Sequence, residues 1–166
     1  MANRKHFSSN SGGGIGSWLG IAAIVVLLDQ ITKITVTQIL SYGQAIGVTS
    51  FFNIVLVYNK GAAFSFLSNQ GGWQRYFFTG IAIAAVILIT YLIKKHAGKR
   101  LFCWGLALIL GGAVGNLIDR LMYGHVIDFL DFYVKTWHWP AFNVADMAIC
   151  LGAGLYILDE LRRSKS

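Results

Sequence analysis

Long apolar runs, broken by a few charged residues, dominate the pattern of this chain. A helix needs about 20 residues to cross roughly 30 Å of hydrocarbon. Runs of this length predict four membrane-spanning helices, at about 15–40, 76–93, 101–119 and 141–161. Pro140 stands where the first turn of the fourth helix is expected, a position that tolerates its missing N–H. The predicted fold class is a mainly α membrane protein, with residues 1–166 forming a single integral-membrane domain.

Composition and charge support this class. Hydrophobic residues make up 55% of the 166 positions and charged residues only 13%, whereas about a quarter of a soluble domain is charged. Basic residues gather near both termini and in the 94–100 connection, and Lys and Arg concentrate in cytoplasmic loops. Both termini are therefore predicted to be cytoplasmic. This asymmetry accounts for the net charge of +7, and we expect no nucleic-acid partner because no basic run is interleaved with stacking aromatic residues.

The N-terminal region has a competing interpretation as a cleavable signal peptide, since basic residues precede the apolar run 15–28. No small-x-small cleavage site follows, and Asp29 and Lys33 extend the run amphipathically, so we favour a retained first span. Cys103 and Cys150 lie inside apolar runs, which indicates neither a disulfide framework nor a metal or redox motif.

Two longer connections, at about 41–75 and 120–140, are predicted to lie outside the membrane. Residues 50–58 are rich in β-branched and aromatic side chains, and the turn signal at 59–61 leads into the apolar stretch 62–67. We expect a small β-rich external segment on the outer membrane surface. Its part around 58–67 is expected to form a mobile wall over the functional site.

Aspartates inside or beside the apolar runs carry the candidate chemistry. A charged aspartate near the middle of a spanning helix costs roughly 2.5–3.5 kcal/mol on insertion scales. Such residues are therefore normally buried against protein and have a functional role. At 1.5 Å per residue, the depths of Asp29, Asp119 and Asp146 fall towards the outer side. Asp128 joins them from the loop that connects the third and fourth spans. We therefore expect these acids to meet near the outer face.

Amides and cations occur at helical spacing from these acids. Asn116 and Asn143 each stand three residues before an aspartate, so each pair shares a helix face and the amide can hold the carboxylate. Lys33 stands four residues after Asp29, and Arg120 stands four after Asn116. We expect each cation to neutralise an acid at low dielectric and to support the site.

The natural pair for chemistry is Asp128 and Asp146. Two aspartates within hydrogen-bonding distance cannot both ionise, so they share a proton and titrate together. One carboxylate can then activate water while the other donates a proton to a carbonyl oxygen. That combination suits peptide hydrolysis without a metal or a covalent nucleophile.

Simpler interpretations of single residues stay open. The 115–120 segment also suits a plain helix terminus with a salt bridge, and Asp131 suits a solvated loop. His125 is a candidate metal ligand, but no second histidine is spaced to join it. Ser65 and Ser68 have no histidine or lysine base at a diagnostic spacing.

Two other function classes also stay open. A small proton- or cation-coupled transporter would use intramembrane aspartates as carriers, although its site is expected near the midplane at a repeat interface, and no repeat is visible here. A non-catalytic assembly or binding protein would leave the cost of gathering the acids unexplained.

Five motifs, in this order, resemble lipoprotein signal peptidase, the signal peptidase II family of bacteria. They are DQITK at 29–33, YNKGAAFS at 58–65, GNLIDR at 115–120, VIDF at 126–129 and FNVAD at 142–146. The resemblance implies a multi-pass aspartic endopeptidase of the inner membrane with no cofactor or metal. It implies removal of the signal peptide from diacylglyceryl-modified prolipoproteins, immediately before the lipidated cysteine.

The resemblance also assigns roles to residues. It implies that Asp128 and Asp146 are catalytic and that the site lies near the periplasmic face. The supporting or substrate-contacting positions that it implies are Asp29, Lys33, Asn59, Gly61, Asn116, Asp119, Arg120 and Asn143. The expected partners are lipidated prolipoprotein substrates and membrane lipid, and we expect the protein to act as a monomer.

Overall fold

The computed structural model describes residues 14–60 and 73–165, which form four helices and a small antiparallel sheet. The helices are α1 (Ile15–Ile39), α2 (Trp73–Lys95), α3 (Arg100–Met122) and α4 (Val144–Arg163). The strands are β1 (Ala45–Gly47), β2 (Phe52–Asn59), β3 (Val126–Val134) and β4 (Trp137–His138). Each predicted span corresponds to one helix, and the predicted β-rich segment is confirmed.

Three of the described helices are long and apolar enough to cross a membrane: α1, residues 75–95 of α2, and α3. The 20-residue helix α4 falls outside this set. Its charged side chains lie at its two ends, and they are Asp146, Asp159, Glu160, Arg162 and Arg163.

Helix α3 packs against the other three helices. Glycines permit the closest approaches: a Cβ on Gly105 would lie 2.7 Å from the Gly152 carbonyl oxygen of α4. A Cβ on Gly111 would lie 2.6 Å from the Val25 Cβ of α1. Buried apolar side chains of α1, α2 and α3 form one core cluster, which includes Trp18 and Phe102. This packing fixes α1 and α4 on α3, where the polar residues of all three meet.

The strands follow the order β1-β2-β3-β4, with every pairing antiparallel. The register between β2 and β3 shifts between Ile54 and Val57, which marks a bulge in β2. A second core cluster, which includes Val36, Leu56 and Phe129, joins the sheet to the end of α1. The expectation that Asp128 lies on a loop is wrong, because residues 126–134 pair with β2 as strand β3.

Helix α4 begins later than predicted. Asn143 is its N-cap, and Phe142 forms a β-bridge with Leu130 of β3. Pro140 therefore precedes the helix, and the prediction that it occupies the first turn is wrong. The physical reason is that Asn143 and Asp146 satisfy the free N–H groups of the helix start, which proline cannot do.

Candidate active site

The start of α4 places Asp146. Asn143 Oδ1 accepts a hydrogen bond from the Asp146 backbone N–H at 2.9 Å, and the Asn143 backbone N–H donates to Asp146 Oδ2 at 3.3 Å. This reciprocal arrangement is a capping box, and such an N-cap stabilises a helix by about 1 kcal/mol. The Asp146 carboxylate is thereby held at the open N-terminal end of α4.

Strand β3 supplies the second carboxylate. Asp128 is 3% exposed, and Asn143 Nδ2 donates to its Oδ1 at 2.7 Å. Asn59, at the end of β2, donates from Nδ2 to Asp128 Oδ2 at 3.1 Å. One residue, Asn143, therefore contacts both Asp128 and Asp146 and brings the two carboxylates to a common site.

Asn116 of α3 orients the other side of Asp146. Its Nδ2 donates to Asp146 Oδ1 at 2.8 Å, while its Oδ1 lies 3.0 Å from Lys33 Nζ and 3.2 Å from Asn143 Nδ2. The two donors on Oδ1 fix which way the amide points. The expectation that Asn116 would hold Asp119, its neighbour on the helix face, is wrong, because Lys33 turns the amide towards α4.

A buried ion cluster lies behind this amide. Lys33 Nζ is 2.8 Å from Asp29 Oδ2 and 2.8 Å from Asp119 Oδ2, and all three side chains are at most 1% exposed. Asp29 Oδ1 accepts from the Ala145 backbone N–H at 2.9 Å, and Asp119 Oδ2 accepts from the Ile127 backbone N–H at 3.1 Å. The cluster therefore ties α1 and α3 to the residues adjoining Asp146 and Asp128.

Gln30 is a site residue that the sequence analysis missed. Its Nε2 lies 2.9 Å from Asp119 Oδ1, 3.2 Å from Asp29 Oδ2 and 3.2 Å from the Gly115 carbonyl oxygen. A neutral amide gives no charge signal, but its position beside Asp29 in an apolar run could have revealed it. Gly115 is needed here, since a Cβ would lie 2.6 Å from Asp29 Oδ2.

The two predicted cations act differently. The prediction that Lys33 pairs with Asp29 is confirmed. Arg120 Nη1 instead donates to the Asn116 carbonyl oxygen at 3.3 Å. Within the part of the chain that the structure describes, Arg120 forms no ion pair, although it attracts Asp146, Asp119 and Asp128 electrostatically. Its charge reaches the acids at longer range.

One further expectation, for Asp131, is wrong, and another, for Gly61, concerns residues that the structure does not describe. The interpretation of Asp131 as a solvated loop residue is wrong: the residue is 7% exposed and lies in β3, where Asn53 and His138 bind its carboxylate. Gly61 and the expected wall over the site, except for residues 58–60, lie outside the described residues.

The environment of Asp128 changes its acidity. Burial and, to a smaller extent, repulsion by Asp146 together raise the pKa of Asp128 to about 7, although the hydrogen bonds from Asn59 and Asn143 oppose the shift. A carboxyl group with a pKa near 7 can give or take a proton at neutral pH.

The candidate metal ligand His125 lies beside the same site. Burial lowers the pKa of its imidazole, and the ring packs on Tyr58 with centroids 4.2 Å apart. Among residues 14–60 and 73–165, no three His, Cys, Asp or Glu side chains are grouped so that they could hold a metal ion.

A cleft of about 970 Å³ opens along the sheet beside Asp128. Its walls come from β1, β2, β3 and the segment that leads to α4, and its polar lining includes Asn53, Asn59, Asp131 and His138. The carboxylate of Asp128 lies on the wall of this cleft, which continues along the sheet to Asp131.

The chain is similar over most of its length to known proteins of one family. The family model for signal peptidase (SPase) II matches residues 21–162. The chain is 68% identical to a lipoprotein signal peptidase of Janthinobacterium sp. (strain Marseille), over 98% of this chain and 97% of that protein. It is 60% identical to a lipoprotein signal peptidase of Ralstonia nicotianae, over 96% of this chain and 93% of that protein.

Two solved structures have a similar fold. One bacterial membrane enzyme superposes with a TM-score of 0.79 at 31% identity, covering 99% of this chain and 94% of the other. A second superposes with a TM-score of 0.78 at 34% identity, covering 89% and 94%. With these neighbours and its spanning helices, the protein is a multi-pass membrane protein. Matched over most of its length by the family model and by these relatives, the chain belongs to the signal peptidase II family.

Proposed function

We propose that this protein is an intramembrane aspartic endopeptidase that cleaves the signal peptide from diacylglyceryl-modified prolipoproteins, immediately before the lipidated cysteine. The observation that carries the proposal is the shared contact of Asn143 with Asp128 and Asp146, together with the cleft of about 970 Å³ that Asp128 lines. The names of the relatives give the substrate class, and the paired carboxylates give the chemistry.

The mechanism follows from the unequal surroundings of the two carboxyl groups. Asp128, with its raised pKa, holds the shared proton at the start and donates it to the scissile carbonyl oxygen. Asp146 takes a proton from the water that attacks the carbonyl carbon. The tetrahedral diol then collapses: Asp146 passes its proton to the leaving amine nitrogen, and Asp128 recovers one from a diol hydroxyl. No metal or covalent intermediate takes part.

The surrounding polar residues hold this geometry without reacting. Asn116 and the capping box fix Asp146, and Asn59 fixes Asp128. The buried cluster around Lys33 holds α1, α3 and α4 together behind them. Arg120 adds positive potential, and Gly61 serves as a supporting or substrate-contacting position.

The membrane arrangement that suits this chemistry has four spans, with α4 as the fourth and its charges at the two ends. Both termini face the cytoplasm, and the sheet lies at the periplasmic face of the inner membrane. A lipidated signal peptide is itself a membrane helix, so its cleavage site reaches the carboxylates at that depth. The protein works as a monomer in contact with membrane lipid.

Cleavage of a lipidated precursor by the purified protein in lipid, with a strong chelator present, tests the proposal. Asp128→Asn and Asp146→Asn should each lower turnover about 10²–10⁴-fold, as expected when a proton-transfer group is lost. Asp159→Asn is the matched control, because this acid lies at the other end of α4 and pairs with Arg163. Activity that disappears with chelator and returns with a divalent ion would refute the mechanism.

A further inference from the structure

A second carboxylate of β3 is buried away from the proposed catalytic pair. Asp131 accepts a hydrogen bond from Asn53 Nδ2 at 2.9 Å, and His138 Nδ1 lies 2.9 Å from its Oδ1 and 3.0 Å from its Oδ2. Burying a carboxylate is costly unless its hydrogen bonds are satisfied. Here one of the two partners is an imidazole, so the carboxylate fixes how that ring is oriented.

The two aspartates of β3 have similar surroundings, because each binds an asparagine of β2. Asn53 of β2 binds Asp131, and Asn59 of β2 binds Asp128. The asparagines are six residues apart and the aspartates three, because Asn53 lies directly opposite Asp131 whereas Asn59 lies opposite Val126 and reaches Asp128 diagonally. All four residues line the same cleft.

The His138 ring leaves its Nε2 atom open to this cleft. With Nδ1 on the Asp131 carboxylate and the ring stacked on Tyr133 at 5.1 Å, the side chain remains 51% exposed. Within the described residues, its Nε2 makes no hydrogen bond. The ring is therefore held on one side and available on the other.

The distance along β3 from Asp128 determines which residue of a bound peptide lies beside His138. Asp128 and Asp131 are three residues apart, which is about 10 Å in an extended strand. An extended peptide with its scissile bond at Asp128 thus places a residue about three positions away beside His138. Because the sheet lies outside the helices, that residue belongs to the part of the precursor that leaves the membrane, after the cleavage site.

We propose that the Asp131–His138 pair is a substrate-binding subsite that hydrogen-bonds, through His138 Nε2, the backbone of the precursor about three residues beyond the scissile bond. The inference rests on the proposed peptidase function and adds to it a contact on the mature side of the substrate. His138 positions substrate here and takes no part in proton transfer.

The test compares two lipidated precursors, one ending directly after the lipidated cysteine and one extending five residues further. For the wild type, the longer precursor should have a KM about tenfold lower with kcat unchanged, the size expected for one hydrogen bond. In His138→Asn, the amide keeps the donor at the Nδ1 position but lacks Nε2. This variant should cleave both precursors with the same high KM.

Three results separate the proposal from its alternatives. Thr136→Ala, an exposed turn residue outside the cleft, should keep the wild-type ratio of the two KM values. A wild-type ratio in His138→Asn, with normal thermal stability, would overturn the subsite and leave the peptidase intact. A wild-type protein that cleaves neither precursor would refute the peptidase and the subsite together.

Discussion

Replacing Asp128 with asparagine tests whether this carboxyl group holds the proton in the folded protein, because the amide keeps the shape of the side chain and cannot ionise. The pKa of Asp128 is raised from 3.8 to about 7 by burial and by repulsion from Asp146. Between these values the folded state binds a proton that the unfolded state has lost. Stability therefore falls as the pH rises through this window.

The size of this fall in stability follows from the same pKa. Between pH 5 and pH 8 the folded protein must give up the proton, and the unfolded chain has almost none to lose, so the loss of stability is about 2–3 kcal/mol. Asp128→Asn lacks this dependence. The variant should gain about that much stability relative to wild type on going from pH 5 to pH 8.

Chemical denaturation in detergent micelles, followed by the fluorescence of the five tryptophans, measures the difference. The double comparison of two proteins at two pH values cancels the titration of groups that do not interact with Asp128. Identical pH dependence in the two proteins would mean that Asp128 is ionised throughout. It would then have no proton to give to a carbonyl oxygen, and the mechanism would be refuted.

The remaining predictions concern the supporting residues. Lys33→Met leaves two buried aspartates without their cation and should cost about 3–5 kcal/mol in the same denaturation assay; unchanged stability would contradict this. Gly105→Ala forces a Cβ against the α4 backbone and should cost about 1–3 kcal/mol, while Gly154→Ala, with open space around it, should cost nothing. Asn59→Ala removes a hydrogen bond that lowers the pKa of the proposed acid, so the alkaline limb of the pH–rate profile should move to higher pH. Gly61→Val should impair cleavage of full-length lipidated precursor far more than membrane insertion, and full activity would place that segment outside the site.

The meeting of the acids could be predicted from the sequence because the penalty for charge in an apolar run is large and local. Asp29 and Lys33 stand four residues apart within one such run, and their ion pair forms as expected. That Asp119 is a second partner of Lys33 depends on how α1 lies against α3. Spacing along one helix carries no information on that packing.

The sheet was harder to predict where it carries polar residues. Asp128 and Asp131 interrupt the apolar pattern of 126–134, so the segment resembles a loop with exposed acids. Both are buried because asparagines of β2, about 70 residues earlier or more, supply their hydrogen bonds. The start of α4 did have a local signal, an asparagine followed three residues later by an acid, which is a stronger start than the preceding proline.

The division of the proposed catalytic pair between β3 and the last helix has a consequence for biosynthesis. Asp128 and Asp146 are joined only when Asn143 caps α4, and α4 is synthesised after α1, α2, α3 and β3. A nascent chain that has inserted α1, α2 and α3 already contains the buried ion cluster around Lys33 but lacks Asp146. The proposed proteolytic activity therefore arises only after α4 has been made and capped, and we expect nascent chains that lack α4 to be inactive.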